Sequence, residues 1–139
     1  MENGFILIFI VIAFIMIFIF AKNVIKSGRS NGIDKNEIKN KWKEIENLAN
    51  MDKEMYYKMA IIESDKLLDS VFKKLLIPGS TMGERLKFLI YKYPNLRKVW
   101  EAHSVRNSIS HESDYILYKS TAKKAISIYR DALKELGVL

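Results

Sequence analysis

Apolar positions along the 139-residue chain follow two different regimes. From Phe5 to Ala21 no polar side chain interrupts a run dominated by Ile and Phe. At 1.5 Å per residue that run is roughly 25 Å long, close to a hydrocarbon core of ~30 Å. It is apolar all round with no amphipathic period, so a buried core helix is the poorer reading. After Ile33 the apolar residues become periodic. Ile38, Trp42, Ile45 and Leu48/Ala49 form one helical stripe, opened by the capping box Asp34-Lys35-Asn36-Glu37 and ending near Asn50. A second helix is expected from a cap at Asp52 to about Leu76, with Met55, Met59, Ile61, Ile62, Leu68, Phe72 and Leu75 as its apolar positions. Ile77-Pro78-Gly79-Ser80 breaks the pattern. Thr81-Met82-Gly83-Glu84 is a second capping box, opening a short helix with Leu86, Leu89 and Ile90 inward. Tyr93-Pro94-Asn95 ends it. The next helix carries Leu96, Val99, Trp100, His103, Val105 or Arg106, and Ile109, and Ser110 to Asp114 reads as the loop after it. Ser120 is the expected cap of a last helix with Ala122, Ala125, Ile126, Tyr129, Ala132, Leu133 and Leu136 inward, stopped by Gly137.

The pattern predicts an all-α protein: an N-terminal transmembrane helix, then an antiparallel bundle of four or five helices. Its expected divisions are 1–4 as a short extracytoplasmic N-terminus, 5–22 as the anchor, 23–33 as a basic flexible linker and 34–139 as the bundle. Two prolines and six glycines agree with mostly helical structure. The chain has no cysteine, which removes disulfides, thiolate nucleophiles and cysteine-based zinc sites. Its only histidines are His103 and His111. No metal and no cofactor is expected.

Charge sharpens the picture of the anchor. The formal net charge is +7, and every Lys and Arg lies after Ala21. Residues 22–43 hold seven cations against Asp34 and Glu37, whereas residues 44–139 hold 16 against 13 acids. The excess next to the apolar run suits an anionic membrane surface, met first by Lys22, Lys26 and Arg29. Cations on that side place the N-terminus outside and the bundle in the cytoplasm. Glu2 before the run and the absence of a small-x-small site after it argue against a cleaved signal peptide.

Asp65 falls inside the apolar stripe of its helix, four after Ile61 and three before Leu68. An acid on a core face is costly unless paired. It either sits at the stripe's edge in water or meets a cation across the bundle, for which Arg106 is the candidate. Arg106-Asn107-Ser108-Ile109-Ser110-His111 gathers a guanidinium, an amide, two hydroxyls and an imidazole. Five positions apart on a helix, Arg106 and His111 stand about 140° apart. A helix end after Ile109 would let His111 swing back. Histidine is the side chain most readily used as acid or base near neutral pH. Arginine offers a planar fork for phosphate oxygens. The set suits attack on a phosphodiester by an internal 2′-hydroxyl, with RNA as substrate. By spacing alone, an Arg and a His five apart also arise by chance.

Arg106-Asn107-x-x-x-His111, at the end of one helix and followed by a closing helix, resembles the R-x4-6-H motif of HEPN domains. The runs Glu63 to Asp69, Thr81 to Leu86 and Trp100 to Glu112 also look like a small HEPN-type family, with a core over about 52–137. The resemblance implies helical bundles that dimerise, with the motifs of two protomers meeting in a cleft that cuts RNA without a metal. It implies that Arg106 stabilises the scissile phosphate, His111 is the acid-base group and Asn107 assists. One subgroup has a Tyr two residues after the His, modified by a partner nucleotidyltransferase. This chain has Ser113 there, which sets it apart. Asp65, His103 and Ser110 are candidate supporting residues. His103 either lines the same cleft or packs at a helix interface with one nitrogen satisfied. Ser110 either touches phosphate or satisfies backbone groups. The expected function is a membrane-tethered, homodimeric endoribonuclease. Its competitor is a non-catalytic, membrane-held helical interaction module, and a lipid-surface role for Lys22 to Lys43 is compatible with both.

Overall fold

The computed structural model of the chain describes residues 12, 15–16 and 32–139. Almost all of the expected anchor, and the linker cations Lys22, Lys26 and Arg29, lie outside the described residues. Among the described residues no helix is long and apolar enough to cross a membrane. The unit Ile33–Leu139 is all-α. Its helices are α1 (Lys35–Asn50), α2 (Glu54–Lys74), α3 (Met82–Leu89), α4 (Val99–His111) and α5 (Lys119–Glu135), with a 3₁₀ turn at Pro94–Lys98 before α4.

Helix α2 is the central element, packed on α1, α4 and α5. Polar links between elements fix the directions. Glu37 at the start of α1 meets Lys74 at the end of α2 at 3.0 Å, so these helices are antiparallel. Lys58 donates to the Tyr115 carbonyl at 2.7 Å beyond the end of α4, so α4 also runs against α2. Asp52 meets Lys119 at 2.5 Å, which sets α5 alongside α2 in the same direction. The core between them is fully buried, with Ile38, Ile61, Leu68, Val71, Phe72, Leu86, Leu96, Val99, Tyr129 and Leu133 at 1% exposure or less.

Both capping boxes form at their N-caps. Asp34 accepts from the backbone N–H of Asn36 and Glu37, and the Thr81 hydroxyl accepts from Glu84 N–H. The returning glutamates do other work. Glu37 pairs with Lys41 and Lys74, and Glu84 accepts from Ser80 N–H.

Four expectations are corrected. Asp52 does not cap α2; it has φ 50° and accepts from the Tyr57 hydroxyl at 2.5 Å while holding Lys119. Helix α2 ends at Lys74, two residues before the expected Leu76. Leu76 takes φ 55°, and Ile77 N–H returns to the Phe72 carbonyl at 3.0 Å. Ser120 does not cap α5, which opens at Lys119 after Tyr118. Leu117 is buried and its N–H donates to Glu54, so the α4–α5 connection is fastened to α2. Ser110 and His111 are helical, not loop. Helix α4 runs through His111, and Glu112 N–H still bonds the Ser108 carbonyl at 2.9 Å. The weak propensity of Ser and His costs only tenths of a kcal/mol per residue (about 0.7 at most), and packing of α4 on α2 and α5 outweighs it.

Candidate functional site

The polar centre is built on three helices. Asp65 of α2 is 4% exposed, inside the bundle. Its Oδ1 accepts from the Tyr129 hydroxyl of α5 at 2.9 Å and lies 2.7 Å from His103 Nδ1 of α4. Its Oδ2 is 3.5 Å from Arg106 Nε, an ion pair longer than a good hydrogen bond. Opposite a carboxylate oxygen, His103 Nδ1 carries the proton, and Nε2 is the ring's other nitrogen. The His103 ring also meets Trp100 edge-on, with centroids 6.3 Å apart. Burial, then the charge of Asp65 and the hydrogen bond to it, push the Tyr129 hydroxyl far above its ordinary value; Arg106 opposes them weakly. Tyr129 is therefore a permanent donor.

Thus Asp65 does meet Arg106 across the bundle, as one of the two sequence readings required. Of the two readings offered for His103, the packed one is what the structure holds. One nitrogen is satisfied at a helix interface, and it shares the carboxylate that holds Arg106. The Arg106 side chain is 28% exposed, and its Nε is buried without a hydrogen-bond partner. Its Nη1 donates to Asn107 Oδ1 at 3.2 Å.

Because α4 continues through His111, the imidazole does not swing back to Arg106 within one chain. His111 is exposed in the last helical turn, roughly 7.5 Å further along the axis. Asn107 receives Arg106 Nη1 and lies four residues before His111, on the same helix face. Ser110 is exposed beside His111. Asp65, His103, Arg106 and Asn107 are thus brought together, while His111 and Ser110 stand one turn away.

Sequence reasoning missed two residues. Tyr129 was assigned to the core alone, although a buried hydroxyl needs a partner and Asp65 needed donors. Arg85 is 5% exposed on the buried side of α3. It holds Asp69 through Nε at 2.9 Å and Nη2 at 3.1 Å, and donates to the Gly79 carbonyl. The available signal was Asp69, one turn after Asp65 on α2. This pair fastens α3 to α2 and lies apart from the Asp65 cluster.

Compared with known proteins, the chain matches no family model, no curated protein and no solved structure.

Proposed function

We propose that the chain is a HEPN-like, metal-independent endoribonuclease, tethered to a membrane through residues 5–21 and active as a homodimer. The observation that carries this reading is the arrangement around α4. A buried carboxylate holds Arg106, Arg106 donates to Asn107, and Asn107 leads along one face to the exposed His111. Arg106 faces phosphate oxygens and stabilises negative charge that develops on them. His111 of one protomer takes the proton from a ribose 2′-hydroxyl, whose oxygen bonds to phosphorus. The P–O5′ bond breaks, and His111 of the partner delivers a proton to the leaving oxygen. A cyclic phosphate and a free 5′-hydroxyl result, with charges and atoms balanced. The second copy is needed because one chain offers a single exposed imidazole on this face.

Met55 and Met59, one turn apart on α2 and exposed, together with the exposed Ile116, offer an apolar face at the His111 end for that second copy. Replacing Met55 and Met59 with Asp is expected to shift the chain from dimer to monomer in sedimentation equilibrium. Cleavage should fall in parallel.

The deciding assay is RNA cleavage with EDTA present. Arg106→Ala and His111→Ala are each expected to lower the rate at least 10²-fold, the scale of a general acid-base or charge-stabilising group. RNA with a 2′-deoxy group at the scissile position should be inert. Equal activity in wild type and both variants excludes the site. The same exposed methionines suit the alternative, a non-catalytic interaction module, which predicts a dimer without cleavage.

A further inference from the structure

The positive charge of the bundle gathers where α1 and α5 border one groove. Residues 34–139 hold 20 cations against 15 acids, a net +5. Helices α1 and α5 both pack on α2. Between them the groove measures about 360 Å³, within the ~300–1,000 Å³ of ligand clefts. Its apolar residues are Trp42, Ala49 and Ile126. Glu46 and Asn50 line it from α1, and Lys123, Ser127 and Arg130 from α5. At 100° per residue, Lys119, Arg130, Lys123 and Lys134 fall roughly 20° to 80° from Ile126 around α5, on the groove side. Asp131 and Glu135 fall about 140° and 180° away, where they share a different groove with Lys98. On α1, Lys39 stands within about 20° of Glu46, and Lys43 within about 20° of Asn50. Ion pairs on these two helices use Lys41, Lys119, Lys124 and, at 3.9 Å, Arg130. Lys39, Lys43, Lys123 and Lys134 are exposed, with no acid within ion-pair distance among the described residues. Together with Arg130 and against Glu46 they leave this face at +4, most of the excess of the whole bundle. Arg130 is also poorly satisfied. Its Nε is enclosed without a hydrogen-bond partner, and Nη2 reaches Ser127 Oγ only at 3.4 Å. Glu46 instead accepts from the Trp42 indole at 2.8 Å.

A guanidinium fork short of acceptors, beside ammonium groups short of carboxylates, fits phosphate oxygens. We propose that the α1–α5 groove binds the phosphate of an anionic phospholipid headgroup. Arg130 and Lys123 take the phosphate oxygens, and Lys39, Lys43 and Lys134 meet neighbouring headgroups. A single strand of nucleic acid wants exposed rings to stack on, and the one ring of this groove, Trp42, is 4% exposed. Both grooves between α4 and α5 use the other side of α5, so a ligand here does not reach the Arg106 cluster. The proposal rests on the reading of residues 5–21 as a membrane anchor. Residues 22–33 then span at most roughly 40 Å, which makes lipid phosphate the polyanion held nearest the domain. To that reading it adds a headgroup site on the folded bundle, made largely by α5.

The test places the full chain, labelled with fluorotryptophan, in nanodiscs of phosphatidylcholine alone or of phosphatidylcholine and phosphatidylglycerol in equal parts. The chain has two tryptophans, so fluorine NMR reads Trp42 in the groove against Trp100 as its control. Phosphatidylglycerol is expected to shift the Trp42 signal and to leave Trp100 unmoved. The shift should fade from about 0.1 M to about 1 M salt, as the Debye length falls from ~10 Å to ~3 Å. Lys123→Gln combined with Arg130→Gln should abolish it, with the Trp100 signal in place as the sign of an intact fold. Lys124→Gln, on the side of α5 away from the groove, should keep it. Equal Trp42 signals in the two bilayers, or an unchanged shift in the double variant, overturn the proposal. The same shift produced in phosphatidylcholine discs by inorganic phosphate, or by single-stranded RNA, also overturns it, since the groove then takes a soluble anion or a nucleic acid. A chain that enters neither disc removes the anchor reading. Co-sedimentation with phosphatidylglycerol vesicles, lost in the double variant, then still supports the groove, and its absence overturns it.

Discussion

Asp65 decides the geometry of the polar centre because its carboxylate meets His103 and Tyr129 by hydrogen bonds and Arg106 by an ion pair, from two other helices. The consequences differ by partner. Tyr129→Phe removes one hydrogen bond and leaves His103 on Oδ1, which should cost about 1 kcal/mol. Asp65→Asn keeps an acceptor oxygen but turns an NH₂ toward Arg106 Nε, leaving a cation in a mostly buried place without its counter-charge. That should cost about 3 kcal/mol, near the lower end for breaking a buried pair. If the proposed endoribonuclease reading holds, the change also lowers RNA cleavage, because Arg106 is then held only through Asn107. Urea unfolding of both variants checks the order, and a larger loss in Tyr129→Phe would contradict it. The acid was visible in the sequence as a polar residue on an apolar stripe. Its full partner set was not, because Tyr129 is 64 residues away in sequence and reads there as one more apolar position.

At the scale of elements, the helices were legible and their ends were less so. Stripes around Ile38, Trp42 and Ile45, and around Ala125, Tyr129 and Leu133, became α1 and α5 with those residues buried. Ends depended on partners elsewhere in the chain. Asp52 looked like an N-cap but is drawn to Tyr57 and Lys119. Ser110 and His111 looked like loop but stay helical because α4 is packed on α2 and α5. Helix α2 closes with Leu76 in the left-handed region, with its side chain 83% exposed. An L-residue there costs about 1–2 kcal/mol, and the exposed side chain returns little packing. Leu76→Gly is therefore expected to stabilise the domain by about 1 kcal/mol after the entropy cost of glycine, read as a higher urea midpoint. A lower midpoint would mean that Leu76 packs against something.

For the domain as a whole, acid stability follows from carboxylates paired with lysines, two of them, Glu37 and Asp52, across elements. The paired lysines Lys41 and Lys74 hold Glu37 well below its ordinary 4.5, at about 2. Lys119, then the Tyr57 hydroxyl, lower Asp52, and Lys58, then Leu117 N–H, lower Glu54. Each folded value lies below the unfolded one. Their contribution is therefore present above the unfolded values near 4 and is lost as pH falls toward 2. A series of thermal melts should show the midpoint dropping between about pH 4.5 and 2, and the drop should shrink at high salt because these groups are exposed. A flat profile would mean that the ties between α1, α2 and α5 are worth little in solution.

The sequence by itself determined the periodic helices, their buried stripes, the anomalous acid at Asp65 and the concentration of reactive side chains from Arg106 to His111. These are local, set by spacing along one helix and by the cost of burying charge. Only the tertiary structure decided how the cluster is wired. It carried α4 on through His111 and set the Arg106 guanidinium on the Asn107 amide. It also set His103 and Tyr129 on one carboxylate. Such contacts join residues far apart in the chain, and a pattern read along one strand of sequence carries no distance between them.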